Sequence, residues 1–243
     1  MKIGILGTGT ITSAVVRGIA QDDHQITVSN RSANRARALS ETFANVLIAD
    51  NQGVLDQSDV VIVGLMADVG RTVLPDLTFR PDQQVISVMA GVPLDEVATL
   101  VAPAQGAAVM MPFPGIAQGG SPLMMQGDAD LVGRLFGDRN TLYPLKNAEE
   151  LSAYLCAQAV LSPVARMVDD AAQWLADRVD DPAQGEAFLR VLVTSSLHNT
   201  PAIELISALN TEGGYNQRLR QHMETAGTGA ALTEGLNTLE RDA

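Results

Sequence analysis

The first twenty residues, MKIGILGTGTITSAVVRGIA, constrain the fold more than any other stretch of the chain. An apolar run over residues 2–6 predicts a buried strand, the glycines in 7–9 predict a tight turn, and the residues from Thr10 onward have helical spacing. A strand that leads through a glycine turn into a helix N-terminus offers backbone N–H groups and open space to a dinucleotide pyrophosphate. The third glycine of the G-x-G-x-x-G pattern is missing, because Thr12 stands in its place.

Apolar runs and helical segments alternate over the first 145 residues, which predicts a parallel, doubly wound sheet. The runs at 60–65 and 85–89 are almost wholly apolar, as expected where helices cover both faces of a sheet. The sequences read as strands are KIGILG, QITVSN, DVVIVGL, QVISVMA, AAVMMP and LMMQG. We expect helices over residues 10–21, 33–43, 52–57, 68–76 and 93–101.

Strand signals stop near residue 147, and apolar residues then recur at helical spacing to the end of the chain. We therefore predict an α/β Rossmann-type dinucleotide-binding domain over 1–147 and a smaller all-helical domain over 148–243. The helical domain is expected to begin with one long helix, bent at Pro163. Further helices are expected over 184–199, 201–210, 213–225 and 229–241. Because such apolar helices are more than a small bundle can bury, we expect a homodimer that pairs through the C-terminal helices.

The amino-acid composition restricts the classes of partner that the chain is expected to bind. The 28 acidic residues outnumber the 16 lysines and arginines, and the net charge of −12 argues against nucleic acid or an anionic membrane as a partner. The single Cys156 excludes an intramolecular disulfide, and no His, Cys or carboxylate spacing predicts a metal site. Met1 leads directly into the first strand, and no apolar run is expected to reach the length of a membrane span. These features favour a cytoplasmic enzyme that acts on a small-molecule substrate.

The segment after the second strand indicates which dinucleotide is bound. An acidic residue at this point would hold the ribose hydroxyls of NAD(H), but the chain reads Ser-Asn-Arg-Ser over 29–32. Guanidinium groups bind phosphate through paired, charged hydrogen bonds, and Arg31, Arg35 and Arg37 lie within seven residues of one another. This favours NADP(H), with residues 30–32 as the best candidates. Arg37 is expected to be solvated on a helix surface.

Several of these motifs together resemble the pyrroline-5-carboxylate reductase family over most of the chain. IGILGTGTITSAVVRGI is similar to the phosphate turn of that family, and VSNRS stands where the family reads the adenosine end of NADPH. VISVMAGVPLDEV is the most family-like stretch, and VMMP follows it at the expected distance. GTGAALTEGLNTLE resembles the glycine-rich turn and helix that hold the substrate carboxylate on backbone amides.

The resemblance implies transfer of hydride from NADPH to the C=N bond of a small cyclic imino acid, 1-pyrroline-5-carboxylate, to give proline, a step of proline biosynthesis. The residues expected to hold the pyrophosphate are Gly7, Thr8, Gly9, Thr10 and Ile11. Those expected at the adenosine end are Asn30, Arg31, Ser32 and Asn51, and those at the nicotinamide are Leu65, Met66, Ala90 and Gly91. The turn over 228–233, from this chain or a partner subunit, is expected to close on the substrate carboxylate. Its candidate catalytic residues are Thr228 and Thr233, and the candidate substrate-pocket residues are Phe113, Gly229, Ala230 and Ala231.

The chain departs from the family where the substrate is expected. Met66-Ala67 replaces a Lys-Pro pair, and Phe113 replaces an Asn that lies near the nicotinamide in the family. Consecutive threonines of the C-terminal turn align with Ala231 and Leu232. Two alternatives therefore stay open: an NADPH-dependent reductase of another imine or a keto substrate, and a non-catalytic NADP(H)-binding protein. No Lys or His is evident beside the nicotinamide, which favours imine over alcohol chemistry.

Overall fold

The computed structural model describes residues 1–242, and the chain divides into two compact units, Met1–Leu151 and Ser152–Ala243. The first unit contains an eight-stranded sheet in the order β3-β2-β1-β4-β5-β6-β7-β8. Neighbouring strands pair in parallel except β6 and β7, which pair antiparallel. The strands are β1 (Lys2–Leu6), β2 (Gln25–Ser29), β3 (Val46–Ala49), β4 (Val60–Val63), β5 (Gln84–Ser87), β6 (Gln105–Pro112), β7 (Pro122–Gly127) and β8 (Thr141–Pro144).

The order 3-2-1-4-5-6 is that of a Rossmann sheet, whose ligands bind outside the carboxyl ends of the strands where the order reverses. That point lies between β1 and β4, which are apolar and buried on both faces. The helices of this unit are α1 (Thr10–Ile19), α2 (Ala33–Thr42), α3 (Asn51–Asp56), α4 (Ala67–Val73), α5 (Leu94–Leu100) and α6 (Ala129–Val132). The predicted Rossmann-type fold followed by a helical region is confirmed.

Two strands, β3 and β8, were not predicted from the sequence, and both lie at an edge of the sheet. β3 is only four residues long, and its Leu47 and Ile48 are exposed, so the apolar run there does not mark a buried strand. β8 is equally short and ends at Pro144, a residue that disfavours strand assignment. Edge strands have only one partner, and their sequence pattern is correspondingly weak.

The remaining helices are α7 (Ala148–Ala157), α8 (Leu161–Ala176), α9 (Pro182–Asn199), α10 (Ala202–Ala208), α11 (Tyr215–Thr225) and α12 (Thr228–Asp242). The long helix expected from residue 148 is interrupted by a 3₁₀ turn at Gln158–Val160, directly before α8. Pro163 is the third residue of α8 and has no N–H for the carbonyl of Ala159, which lies four residues earlier, inside this turn. The interruption therefore lies where the missing hydrogen bond of Pro163 is expected to disturb the helix.

The second unit buries far fewer residues than the first. Between Ser152 and Arg241, the part of this unit whose burial is described, Ala172 is the only buried residue. Large apolar side chains lie exposed on all the helices from α7 to α12, among them Leu161, Trp174, Phe188, Val191, Ile203 and Leu219. Apolar surface exposed on this scale is unusual for a monomeric soluble protein.

The helical stretch Ala148–Ala176 is long and apolar enough, by length and composition, to cross a membrane. Its most apolar window has a mean hydropathy of 1.3, and 11% of that window is buried. Its charged residues are confined to the first turn and the last third, which leaves an apolar middle. The expectation that no apolar stretch reaches the length of a membrane span is therefore wrong, although one such helix is weak evidence for a membrane segment.

Candidate cofactor site

The turn after β1 requires a glycine at its first position. Gly7 has φ +91°, a left-handed conformation that residues with a side chain rarely adopt. A Cβ on Gly7 would lie 2.5 Å from the carbonyl oxygen of Gly64, in the segment after β4. The backbones that follow β1 and β4 therefore approach each other closely, and only glycine fits between them.

Gly9 is different, because the protein itself does not need a glycine there. It precedes the first residue of α1 in an extended conformation, with φ −76° and ψ −175°. A Cβ at this position would meet only the Thr12 hydroxyl, at 3.7 Å. The free space above Gly9 faces the N-terminus of α1, where the first backbone N–H groups have no intrahelical acceptor. Such a terminus favours an anion.

The structure explains why the third glycine of the pattern is dispensable. Thr12 is buried, and a Cβ on Gly64 would overlap its methyl group. The Thr12 hydroxyl donates a hydrogen bond back to the Gly9 carbonyl at 3.3 Å. The small residue needed for close packing of α1 against the sheet thus lies after β4, at Gly64, instead of in α1.

A second strand end supports the glycine turn. The Gly7 N–H donates a hydrogen bond of 2.8 Å to the hydroxyl of Ser29, the buried last residue of β2. This bond joins the turn after β1 to the segment that carries the predicted adenosine-binding residues. Sequence reasoning did not assign this role to Ser29, since strand pairing in three dimensions brings the two residues together.

A cleft of about 590 Å³ opens at the carboxyl ends of β1, β2, β4 and β5. Ten of the thirteen residues predicted to bind the cofactor line it: Gly7, Thr8, Gly9, Thr10, Ile11, Arg31, Ser32, Leu65, Met66 and Ala90. Sequence reasoning missed five further lining residues, Thr12, Gly64, Ala67, Asp68 and Val88. All but Thr12 directly follow β4 or β5, so their position after central strands was the signal that could have found them.

Three predicted cofactor residues are not among those that line the cleft. Asn30 is exposed directly after β2, and Gly91 follows Ala90 with φ +73°. Asn51 is the first residue of α3, which begins after the edge strand β3. The preceding Asp50 caps this helix by accepting a 2.7 Å hydrogen bond from the Gly53 N–H. Cofactor contacts by these three residues stay predictions.

The charges of the cleft are few. Among its lining residues only Arg31 and Asp68 are charged, and Lys, His, Cys and Tyr do not occur. Arg31 follows β2, and no salt bridge to it is formed among the side chains of residues 1–241. The end of β2 therefore presents a free guanidinium group and no carboxylate. The cleft can attract a phosphate there, and its one carboxylate, Asp68, is exposed and lies 3.4 Å from the guanidinium group of Arg71.

A charged cluster of Arg71, Glu96 and Asp68 connects the segments that follow β4 and β5. Arg71 of α4 donates to both carboxylate oxygens of Glu96 in α5, at 2.6 and 3.1 Å. It also lies 3.4 Å from Asp68 and from the carbonyl oxygen of Gly91. Hydrogen bonding to Arg71 lowers the pKa of Glu96, and Glu96 raises the pKa of Arg71. The segments after β4 and β5 are thereby tied together.

Phe113, the predicted substrate-pocket residue of the first unit, is half-buried directly after β6. It precedes a 3₁₀ turn, Pro114–Ala117, which packs on α1 through the buried Ile116. A Cβ on Gly18 of α1 would lie 2.6 Å from the Ile116 carbonyl oxygen, so this contact is close. The loop that carries Phe113 is thus held firmly against the helix that begins at the cleft.

The other predicted substrate residues lie in the second unit, in the first two turns of α12. The Thr228 hydroxyl donates to the Met223 carbonyl at 2.9 Å, and the Thr233 hydroxyl donates to the Gly229 carbonyl at 3.1 Å. Both protons are therefore engaged by helix backbone. Thr228 and Ala231 line an apolar groove of about 580 Å³ between α12 and the start of α8.

Comparisons with known proteins agree with this architecture. A family model described as "NADP oxidoreductase coenzyme F420-dependent" matches residues 2–91. A comparison with curated protein sequences gave no significant match. The 1-pyrroline-5-carboxylate reductase of Streptococcus pyogenes superposes with a TM-score of 0.83 at 21% identity, covering 100% of this chain and 97% of that one.

Two further solved structures extend the comparison. The pyrroline carboxylate reductase of Plasmodium falciparum with NADP bound gives a TM-score of 0.81 at 12% identity, covering 100% of this chain and 96% of that one. A reductive aminase from Aspergillus terreus in complex with NADPH and ethyl levulinate gives 0.63 at 18% identity, covering 98% and 90%. The resemblance predicted from the sequence is thus confirmed at the level of the fold: over its full length this chain has the fold of the pyrroline-5-carboxylate reductases.

Proposed function

We propose that the chain is an NADPH-dependent oxidoreductase that transfers hydride to the C=N bond of a small cyclic imino acid, 1-pyrroline-5-carboxylate, to give proline. The cleft carries this proposal. It gathers the glycine turn, the N-terminus of α1, the free Arg31 and the backbone after β4 and β5 at the reversal point of the sheet. The reductases with this fold and the NADP oxidoreductase pattern of residues 2–91 support it.

The end of β2 supports NADP(H) over NAD(H). A carboxylate there would hold the ribose hydroxyls and repel a 2′-phosphate, whereas Arg31 and Ser32 offer a positive charge and a hydroxyl. Backbone N–H groups at the start of α1 would hold the pyrophosphate, above the open side of Gly9. Leu65, Met66 and Ala90 would line the nicotinamide half.

The composition of the cleft supports reduction of an imine. A protonated imine is already electrophilic, so the protein has only to hold the acceptor carbon about 3–3.5 Å from the hydride donor. Bound NADPH supplies that hydride. A dehydrogenase for alcohols needs a side-chain base at this point. The residues that line this cleft include no Lys, His, Tyr or Cys, and their one carboxylate, Asp68, is exposed and paired with Arg71.

The start of α12 is the proposed holder of the substrate carboxylate. Because the protons of Thr228 and Thr233 are donated to helix carbonyls, we assign this role to the free backbone N–H groups of Gly229 and Ala230 and not to the hydroxyls. Ala231 is already paired, since its N–H donates to the Gly227 carbonyl at 3.0 Å.

We also propose that the protein is a homodimer joined through its C-terminal helices. A helical unit with one buried residue between Ser152 and Arg241 has too little interior of its own to offset the conformational entropy of folding. A second copy would cover the apolar helix faces, including the middle of Ala148–Ala176. A cytoplasmic location and a place in proline biosynthesis belong to the same proposal.

A second candidate function keeps the cofactor and changes the substrate. Met66 lines the cleft with 77% of its surface exposed, and Phe113 stands where the resembling family has Asn. Two apolar side chains at these points favour a more apolar imine or ketone. The fold of an imine reductase from a Pseudomonas species, with a TM-score of 0.65, is compatible with this alternative.

The experiment that separates these functions is a substrate panel. The purified protein is given NADPH with 1-pyrroline-5-carboxylate, with larger apolar cyclic imines and with the matching ketones, and absorbance at the nicotinamide band is followed. We expect fastest oxidation with 1-pyrroline-5-carboxylate. Faster turnover of the apolar imines would favour the second candidate. NADPH binding without turnover of any compound would indicate a non-catalytic NADP(H)-binding protein.

A further inference from the structure

The two charged residues that line the cofactor cleft have opposite signs and follow different strands. Arg31 follows β2, and Asp68 lies in the first turn of α4, after β4. β2 and β4 flank β1 on opposite sides in the sheet. The segment after β2, residues 29–38, contains three arginines and no carboxylate, whereas 64–73 and 88–96 together contain three carboxylates and one arginine. One side of the cleft is therefore cationic and the other is anionic.

The pairing of Arg71 leaves much of the Asp68 charge uncompensated. Arg71 donates to both carboxylate oxygens of Glu96, at 2.6 and 3.1 Å, so these two charges largely cancel. Its contact with Asp68 is longer, at 3.4 Å, and 99% of the Asp68 side chain is exposed. Asp68 lines the cleft, whereas Arg71 and Glu96 do not. The cluster thus has one carboxylate in excess, and Asp68 presents it at the wall of the cleft.

The residues beside Asp68 are apolar. Leu65, Met66 and Ala67 precede it in the same segment and line the same cleft. Small-molecule sites combine apolar walls with a few polar groups that fix the orientation of the ligand. A single carboxylate beside an apolar wall suits a small organic cation, whose ring contacts the apolar side chains while its charge faces the carboxylate.

We propose that Asp68 is a specificity-determining residue that attracts the positive nitrogen of a protonated imine and selects it over a neutral ketone of the same shape. The proposal rests on the proposed function, which assigns Leu65 and Met66 to the nicotinamide half of the cofactor. It adds the substrate class, a cationic cyclic imine, and the side chain that recognises its charge. Asp68 acts through its charge and takes up no proton.

The path of the charge during reduction determines which kinetic constant Asp68 affects. When hydride adds to the imine carbon, the electron pair of the C=N double bond moves to nitrogen, and the positive charge passes to the nicotinamide ring that gave up the hydride. The charge therefore stays on the Asp68 side of the cleft from bound substrate to transition state. An interaction that is equal in both states lowers KM and leaves kcat unchanged.

The first test measures binding without turnover. Pyrrolidinium and its neutral counterpart cyclopentanol, neither of which can accept hydride, are titrated into the full-length protein loaded with NADPH and followed by NMR. We expect Asp68→Asn to weaken pyrrolidinium about threefold to fivefold, as for an exposed ion pair, and to leave cyclopentanol within about twofold. The matched control is Asp76→Asn, which removes an exposed carboxylate from the 3₁₀ turn after α4, outside the cleft, and should change neither ligand.

The neighbouring ion pair separates the effect of charge from a structural effect. Arg71→Gln removes the cation beside Asp68, so we expect pyrrolidinium to bind about twofold more tightly. Glu96→Gln releases Arg71 to pair with Asp68, so we expect pyrrolidinium to bind about twofold more weakly. Both variants break the same salt bridge, and a purely structural role would move them in the same direction.

Steady-state kinetics with 1-pyrroline, a cyclic imine without a carboxylate, extend the test to turnover. We expect Asp68→Asn to raise KM about threefold to fivefold with kcat within about twofold, and to leave the kinetics with cyclopentanone unchanged. Equal effects of Asp68→Asn on charged and neutral ligands would overturn the proposal, as would a wild-type protein that binds pyrrolidinium no better than cyclopentanol.

Two further outcomes distinguish the proposal from its neighbours. If Asp68→Asn weakens NADP⁺ relative to NADPH and leaves pyrrolidinium unchanged, the carboxylate acts on the oxidised nicotinamide, and the proposal is wrong. If pyrrolidinium binds in an Asp68-dependent manner but no imine is reduced, the cation subsite is supported while the proposed function fails.

Discussion

The two units of the chain differ in how many of their apolar side chains they bury. The first unit covers a central sheet with helices on both faces, and its strands β1, β2 and β4 are almost fully buried. The second unit has a single buried residue in its described part and leaves aromatic and branched side chains in the open. The first unit is therefore structurally complete within one chain. We propose that a second copy covers the apolar surface of the second unit, in which the proposed substrate turn lies.

The largest effect is expected for a charged substitution on the exposed apolar surface of the second unit. Phe188→Asp places a charge on the exposed apolar surface of α9, and we expect it to weaken the dimer by about 2 kcal/mol or more, roughly 30-fold. Sedimentation equilibrium measures the change. Leu47→Asp is the matched control, because Leu47 is exposed on the edge strand of the first unit and should leave assembly unchanged. A wild-type chain that is monomeric at micromolar concentration would contradict the comparison.

The next prediction separates two glycines of the first unit. Gly9→Ala meets only the Thr12 hydroxyl at 3.7 Å, so we expect unchanged stability and NADPH binding weakened about tenfold or more, because the methyl group occupies the space of the pyrophosphate. Gly64→Ala overlaps the Thr12 methyl group, so we expect a loss of about 1–3 kcal/mol in the free energy of unfolding. Denaturant unfolding and NADPH titration measure the two effects.

A double variant tests whether contact with Thr12 causes the loss of stability in Gly64→Ala. Thr12→Ser removes the methyl group that Gly64→Ala overlaps and keeps the hydroxyl that binds the Gly9 carbonyl. We therefore expect Thr12→Ser to restore most of the stability that Gly64→Ala loses. Additive losses in the double variant would mean that Gly64 is required for a reason other than its contact with Thr12.

A similar loss of stability is expected when the hydrogen bond between the end of β2 and the glycine turn is removed. Ser29→Ala leaves the buried Gly7 N–H without its acceptor, which should lower the free energy of unfolding by about 1–3 kcal/mol. NADPH affinity should fall as well, since the turn loses its fixed position. The control is Ser40→Ala, whose hydroxyl donates to the Arg37 carbonyl on an exposed helix face and should change neither quantity. Equal effects of the two variants would remove Ser29 from the site.

The smallest predicted effect is a pH dependence at the Arg71–Glu96 pair. Because Arg71 lowers the pKa of Glu96 in the folded protein, the pair stabilises above the ordinary value of 4.5, and this contribution is lost as pH falls through the lowered pKa. The wild-type melting temperature should therefore approach that of Glu96→Gln as the pH is lowered through this range. The difference is expected to be small, since exposed ion pairs contribute little. A pH-independent difference would exclude the ion pair as its cause.

The comparison of the two units also explains what the sequence could predict. Strand ends and glycine turns are local signals, so most of the predicted cofactor residues from Gly7 to Ala90 line one cleft. Two features depend on segments that are distant in sequence. One is the hydrogen bond between Ser29 and Gly7, and the other is the close contact in which Gly64 makes room for the Thr12 side chain. No local pattern reports such contacts.

The second unit was harder to predict for a related reason. Its helices are recognisable from their spacing, and the break at Gln158–Val160 lies just before Pro163, the residue at which the sequence predicts a bend. The roles of Thr228 and Thr233 depend on what lies against α12. One chain leaves that helix largely exposed, and its local sequence does not specify the covering surface.

Isotope transfer tests the proposed function most directly. The purified protein is given 1-pyrroline-5-carboxylate with NADPH deuterated at C4 of the nicotinamide, each of the two stereoisomers in turn, and the product is examined by mass spectrometry and NMR. We expect one isomer to deliver deuterium to C5 of proline and the other to give unlabelled proline. Absence of proline, or proline without deuterium from either isomer, would contradict direct hydride transfer from NADPH to the C=N bond.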